Sequence, residues 1–473
     1  MFTDSFIGGR WRPSANRYPV LDPATGESIA EVASASVSDC LDAVSAAHEA
    51  FPQWRATAPR ARAEVLRRAF ELMTAEAALL AELIVRENGK TLADARNEVT
   101  YAAEFFRWFS EEAVRIDGDY RTAPGGANWL MVSRSPVGVS LLLTPWNFPA
   151  AMATRKIGPA LAAGCPVVLK AASETPLTAL ALADLLQRAG VPDGVVNVVV
   201  PDPPGEAVSA MIAGGIVRKL SFTGSTRVGS LLLQQAAANI VNCSMELGGN
   251  APFIVFADAD IDAAVDGAMI AKMRNGGAAC TAANRFFVEG PVVHEFTDKL
   301  AARMGALVMG NGLDPATGVG PLVSAAQRDR VADLVDRAVA AGAMIVIGGE
   351  RPIGPGFLYP PTVLAGVQPD NPILATEIFG PVAPIVAFDD TDTMVNHANS
   401  VEHGLVSYVY GGDIRRAMRT AERLECGMVG LNRGLVSDPA APFGGVKQSG
   451  IGREGGHDGL LAFTETKYIA GSW

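Results

Sequence analysis

Lys219-Leu-Ser-Phe-Thr-Gly224-Ser225-Thr-Arg-Val-Gly229 passes from a strand-like run through a glycine turn into a helical pattern expected over 228–238. A helix start of that kind leaves backbone N–H groups unpaired and suits an anion, although a serine there also serves as a plain helix cap. Upstream, apolar runs at 137–143, 166–170 and 195–200 read as strands. Between them a helix opens at Thr175-Pro176, as N-cap and N1, and stops at Ala189-Gly190. Repeated strand–helix units closing on that turn predict a doubly wound, Rossmann-type α/β sheet over 137–245, without the usual GxGxxG.

Outward from this core, residues 38–117 carry a helical pattern in which Leu66, Ala69, Phe70, Met73 and Leu80 share one face. The N-terminus predicts a hairpin turning at Gly8-Gly9. Downstream, a strand at 253–256, a helix at 261–273 and further units at 343–347 and 382–388 predict a second α/β domain. Glu465-Thr-Lys-Tyr-Ile-Ala has strand composition after a glycine-rich loop and is expected to pair outside its own domain.

The 473 residues, 49% of them hydrophobic, suit two or three domains. A net charge of -11 argues against sequence-independent nucleic-acid binding, which needs clustered Lys and Arg. Cys40, Cys165, Cys243, Cys280 and Cys426 are scattered without CxxC spacing, so neither a disulfide framework nor a zinc site is indicated. With no signal-peptide pattern and no apolar run of roughly twenty residues, a soluble cytoplasmic protein is expected.

The chemistry centres on Cys280, in Arg274-Asn-Gly-Gly-Ala-Ala-Cys280-Thr, downstream of Glu246-Leu-Gly-Gly-Asn250. A thiol titrates near about 8.5, so a nucleophile needs an electropositive, partly open setting or a nearby proton acceptor. Taken singly, each residue has a plainer reading: a cysteine as a small buried hydrophobe, Glu246 as a turn acid, Asn147 as a turn former.

Together, Thr144-Pro-Trp-Asn147-Phe-Pro149, Phe222-Thr-Gly-Ser225, Glu246-Leu-Gly-Gly249, Cys280, Glu377-Ile-Phe379-Gly-Pro381 and Pro442-Phe-Gly-Gly445 resemble the ordered motifs of the aldehyde dehydrogenase superfamily over essentially the whole chain. The resemblance implies a cofactor domain at 1–118 and 137–247, a catalytic α/β domain at 248–455, and a small β oligomerisation arm at 119–136 and 456–473. It implies Cys280 as nucleophile, Glu246 as general base, and an oxyanion site made by the Asn147 amide and the Cys280 N–H, without a metal. Trp146, Lys170, Ser173, Gly224, Ser225, Leu247, Glu377 and Phe379 match cofactor-binding positions. Because Ser173 stands where an acid would repel a 2′-phosphate, NADP is expected to be preferred and NAD usable.

Within the superfamily the chain is most similar to succinate-semialdehyde dehydrogenases. Arg155, Arg274 and Ser437 match residues that grip the far carboxylate there, with Phe148 and Phe443 lining the substrate site. A small anionic aldehyde is therefore the expected substrate, with glutarate semialdehyde or a broader aldehyde set as alternatives, and a non-catalytic cofactor-binding protein as a remote one. A homodimer or homotetramer is implied. Two departures from the family pattern stand at Ala171 and Ala278, and Ala282 stands where many relatives carry a second cysteine that can form a disulfide with the nucleophile.

Overall fold

Strands buried on both faces need nearly continuous apolar runs, and Ser140–Leu143, Val167–Lys170 and Val196–Val199 supply them. In the computed structural model, which describes residues 1–472, they lie parallel with Lys219–Thr223 and Asn242–Glu246 in the spatial order third, second, first, fourth, fifth. This is the doubly wound order expected from sequence, and it opens a crevice where the order reverses. The hairpin Ser5–Ile7 and Arg10–Arg12 turns at Gly8-Gly9 and extends one edge through Phe6 opposite Val198.

Two boundaries differ from expectation. The strand expected at 137–143 begins at Ser140, because Trp129–Pro136 belongs to another sheet and Gly138, at φ +128°, bends the chain between them. The helix expected over 228–238 is Thr226–Ala237, because Ser225 caps it and accepts a hydrogen bond from the Val228 N–H at 3.4 Å.

Four helices, Val37–Ala56, Pro59–Ala75, Ala77–Asn88 and Leu92–Glu112, account for the N-terminal helical pattern. Leu66, Ala69, Met73 and Leu80 are buried, and Phe70 packs at the margin of the same core. The last of these helices carries Glu98, wholly buried and paired with Lys90. Glu98 Oε1 also accepts from the N–H groups of Ala150 (2.9 Å) and Ala151 (3.3 Å), which open the helix Pro149–Ala163.

The second sheet has seven strands: Met344–Ile347, Thr362–Ala365, Val382–Phe388, Ala283–Glu289, Ala251–Val255, Val406–Tyr410 and Met428–Leu431. All pairings are parallel except the first. The run at 343–347 is thus an antiparallel edge strand with Met344 and Ile345 exposed, rather than a further strand–helix unit. A third sheet joins Asp119–Thr122, Trp129–Pro136 and Thr464–Gly471, with Thr464 opposite Pro136 and Gly471 opposite Trp129. Before entering it, the chain returns to the first sheet: Gly450–Ile451 pairs with Asn242–Glu246, and the helix Gly456–Leu461 packs on Pro149–Ala163 with Leu460 buried.

Removing one partner of a buried ion pair strands the other charge in a low dielectric, an effect of about 3–5 kcal/mol. Lys90→Met should therefore lower the thermal midpoint well below that of the native chain, as measured by circular dichroism.

Candidate active site

The crevice of the first sheet and the loops of the second enclose one cavity of about 410 Å³, lined by Asn147, Glu246 and Cys280 together. Asn147 stands in the turn after Ser140–Leu143, one residue before Phe148 and the helix-opening Pro149. Its backbone oxygen accepts from Lys90 Nζ and from Asn275 Nδ2, each at 2.8 Å. Its own Nδ2 donates to the Ala278 carbonyl at 3.0 Å, leaving the second amide hydrogen for the cavity. The alanine at 278 therefore contributes its backbone to this turn, not its side chain.

Cys280 follows a tight turn, Arg274–Gly277, in which Asn275, Gly276 and Gly277 all take left-handed conformations (φ 56°, 58° and 77°). The Asn275 side chain ties this turn to both Asn147 and Ala278. Burial pushes the Cys280 thiol up to about 12; Arg155 and Arg274 pull it down, while Glu377 and Glu246 push it further up. Two arginines thus favour the thiolate and burial opposes it, and Glu246 lines the same cavity as the proton acceptor that a thiol in such a setting needs. Glu246 ends its strand buried, with both carboxyl oxygens lacking a hydrogen-bond partner. Burial, and then the charge of Glu454, hold its pKa well above the usual carboxylate range. Burial also opposes ionisation of Glu454, but Lys156 and Arg155 outweigh it and keep that carboxyl below its ordinary value.

Trp146, Gly224, Ser225, Leu247, Glu377 and Phe379 line the same cavity. Phe379 packs edge-on against Trp146 at 5.3 Å, and Glu377 accepts from the Gly249 N–H at 3.1 Å. Burial raises Glu377 to about 7. The Thr223 hydroxyl, buried beside the capped helix start, has no partner. An unpartnered donor at a helix N-terminus with aromatic walls suits the pyrophosphate and ring of a dinucleotide. Lys170 and Ser173 lie outside this cavity, at the carboxyl end of Val167–Lys170, and Ser173 Oγ donates to Asp202 Oδ1 at 3.0 Å.

Arg155, also in the cavity wall, is buried on the helix Pro149–Ala163, its guanidinium 4.1 Å from the centre of the Phe443 ring. Its Nη2 donates to the Tyr101 hydroxyl at 2.6 Å, and its Nε and Nη1 make no hydrogen bond. Arg274 lies over the Phe148 ring at 4.9 Å and donates to Ser437 Oγ at 3.5 Å. All five expected substrate residues thus line the cavity. Tyr101, which sequence reasoning missed, lines it with them, and its position three residues after Glu98 on a helix was the available signal.

Residues 11–469 match the aldehyde dehydrogenase family. The chain belongs to that family. It is an NAD(P)-dependent oxidoreductase. A succinate-semialdehyde dehydrogenase of Paenarthrobacter nicotinovorans is 54% identical over 441 residues, 93% of this chain and 98% of that protein. A glutarate-semialdehyde dehydrogenase of Pseudomonas putida is 46% identical, covering 98% of this chain and 97% of its own length. The crystal structure of a succinate-semialdehyde dehydrogenase from Burkholderia pseudomallei superposes with a TM-score of 0.98 at 47% identity, over 100% of this chain and 98% of that one. Among the described residues, no helix of this family member is long and apolar enough to cross a membrane.

A base whose pKa is raised by burial works only above that raised value, so turnover that depends on Glu246 should fall away on the acid side at a higher pH than an ordinary carboxylate would give. Glu454→Gln removes the neighbouring negative charge, and the acid limb of kcat against pH should move to lower pH; a limb that moves upward would contradict this electrostatic reading.

Proposed function

We propose that this enzyme oxidises succinate semialdehyde to succinate with a nicotinamide cofactor. The observation that carries the reading is that two guanidinium groups, Arg155 and Arg274, set among Tyr101, Phe148 and Phe443, line the same cavity as Cys280. Arg155 has two buried nitrogens, Nε and Nη1, that make no hydrogen bond, the second standing 3.7 Å from Glu454 Oε2, and a substrate carboxylate would supply the missing acceptor. Ser437 adds a hydroxyl beside Arg274.

In this reading the Cys280 thiol loses its proton to solvent by way of Glu246, the sulfur bonds to the aldehyde carbon, and the carbonyl oxygen becomes an oxyanion held by the Asn147 amide and the Cys280 N–H. A bound nicotinamide would supply the acceptor for the aldehydic hydrogen, which leaves as hydride. The chain is left with a thioester on Cys280. Glu246 takes a proton from water, whose oxygen adds to the thioester carbon, and the C–S bond breaks to release the carboxylic acid and restore the thiolate.

Lys170 and Ser173 would hold the adenosine ribose, Ser225 and its helix start the pyrophosphate, and Glu377 with Phe379 the end nearest Cys280. On Lys170 and Ser173 alone, NADP would be preferred and NAD usable. The first sheet would form the cofactor domain and the second the catalytic domain. The arm sheet, which exposes Tyr120, Tyr468 and Ile469, would join subunits into a dimer or tetramer in the cytoplasm. Glutarate semialdehyde is the second reading, supported by the Pseudomonas putida relative.

Arg274→Ala should raise KM for succinate semialdehyde by at least about tenfold, a loss typical of a charged contact left unpaired, while a neutral aldehyde such as hexanal changes little. Equal losses on both substrates would defeat the carboxylate grip. Cys280→Ser should abolish formation of reduced cofactor with every aldehyde.

A further inference from the structure

Two loops leave the carboxyl ends of neighbouring strands at the proposed adenosine end of the site. Lys170 and Val199 are opposite each other in the parallel pair Val167–Lys170 and Val196–Val199. Three residues beyond each lie Ser173 and Asp202, and the serine hydroxyl donates to Asp202 Oδ1 at 3.0 Å. The Asp202 backbone is fixed from below: its N–H donates to Ser34 Oγ, and its carbonyl accepts from that same hydroxyl, both at 3.1 Å. The Asp202 side chain is left exposed, turned toward the first loop.

The charges of these loops are one-sided. Residues 171–176 and 200–206 contain Glu174, Asp202 and Glu206 and no Lys or Arg. Lys170 is the cation at this end; burial pulls its pKa down, and the charges of Glu174 and Asp202 oppose that. A ribose presents two hydroxyl donors, which a carboxylate accepts well, whereas a 2′-phosphate presents oxygens that need donors and positive charge. Here the donor such a phosphate would use, the Ser173 hydroxyl, is already directed at a carboxylate.

We propose that Asp202, reaching in from the loop of the adjacent strand, accepts the adenosine ribose hydroxyls and makes this enzyme select NAD over NADP. This reverses the preference expected from Lys170 and Ser173 in the sequence. Reading residues 170–173 alone omits the carboxylate that arrives 29 positions later in the chain. The inference rests on placing the adenosine ribose at the ends of these two strands.

The test measures binding apart from turnover. ADP-ribose and its 2′-phosphorylated form are titrated calorimetrically into the native enzyme and into Asp202→Asn, and KM for NAD and NADP is measured alongside. The native enzyme should bind ADP-ribose more tightly, by about tenfold for one like-charge contact near the protein surface. Asp202→Asn should tighten the phosphorylated ligand by a similar factor and weaken the plain one, with KM for the two cofactors moving in the same opposite directions. Ser173→Ala, which leaves the carboxylate in place, should not reverse the preference. The inference is overturned if both ligands bind and Asp202→Asn leaves their ratio unmoved, if the native enzyme favours the phosphorylated ligand, or if Ser173→Ala alone produces the reversal. Failure of both ligands to bind the native enzyme would instead remove the ribose placement on which it rests.

Discussion

Residue 249 has no room for a side chain, because a Cβ there would stand 2.1 Å from the Cys280 carbonyl oxygen. The chain leaves the first sheet at Glu246 and enters the second at Ala251, and in that short crossing it passes directly against the Cys280 loop. The same crossing donates the Gly249 N–H to Glu377 and carries Asn250, whose Nδ2 donates to the Leu374 carbonyl at 2.7 Å. A backbone contact this close leaves the two sheets little freedom to slide, so the proposed base and nucleophile keep their separation without a bond between them. Everything else in the site is arranged around that seam.

Buried charge supplies the second layer of order. Lys90 binds Glu98 and also the carbonyl of Asn147, so one ion pair fixes a helix start and the turn holding the proposed oxyanion donor. Lys156 and Arg155 gather on Glu454, and Glu454 in turn keeps Glu246 difficult to ionise. Burial raises the Cys280 thiol in the same sense, against the pull of Arg155 and Arg274.

The sequence made the first sheet legible because its strands are short apolar runs divided by helix punctuation, and the turn at Gly224-Ser225 marked where they lead. Cys280, Glu246 and Asn147 stood out because several motifs occurred in one order. The second sheet was read poorly: Ala283–Glu289, at its centre, follows the nucleophile loop without a turn signal, and Met344–Ile347 has a strand pattern that says nothing about direction. Tyr101 was hidden because an aromatic residue on an amphipathic helix reads as core. Asp202 was hidden for a different reason, since its partner Ser173 is brought to it by strand pairing and not by proximity along the chain. Contacts made by topology are those that periodicity cannot reveal.

The proposed preference for an anionic aldehyde follows from what the site lacks when empty. Arg155 is buried against Phe443 and Phe105, with two of its donor nitrogens unsatisfied. Aromatic faces stabilise the cation but cannot accept its in-plane hydrogens, so the guanidinium is held in place and left incomplete. A substrate carboxylate completes it, whereas a neutral aldehyde of equal length fills the space and leaves the donors stranded. Rejection of the neutral analogue therefore arises from a polar group in the wall that only one class of substrate satisfies, and this discriminates more strongly than the fit of an apolar pocket.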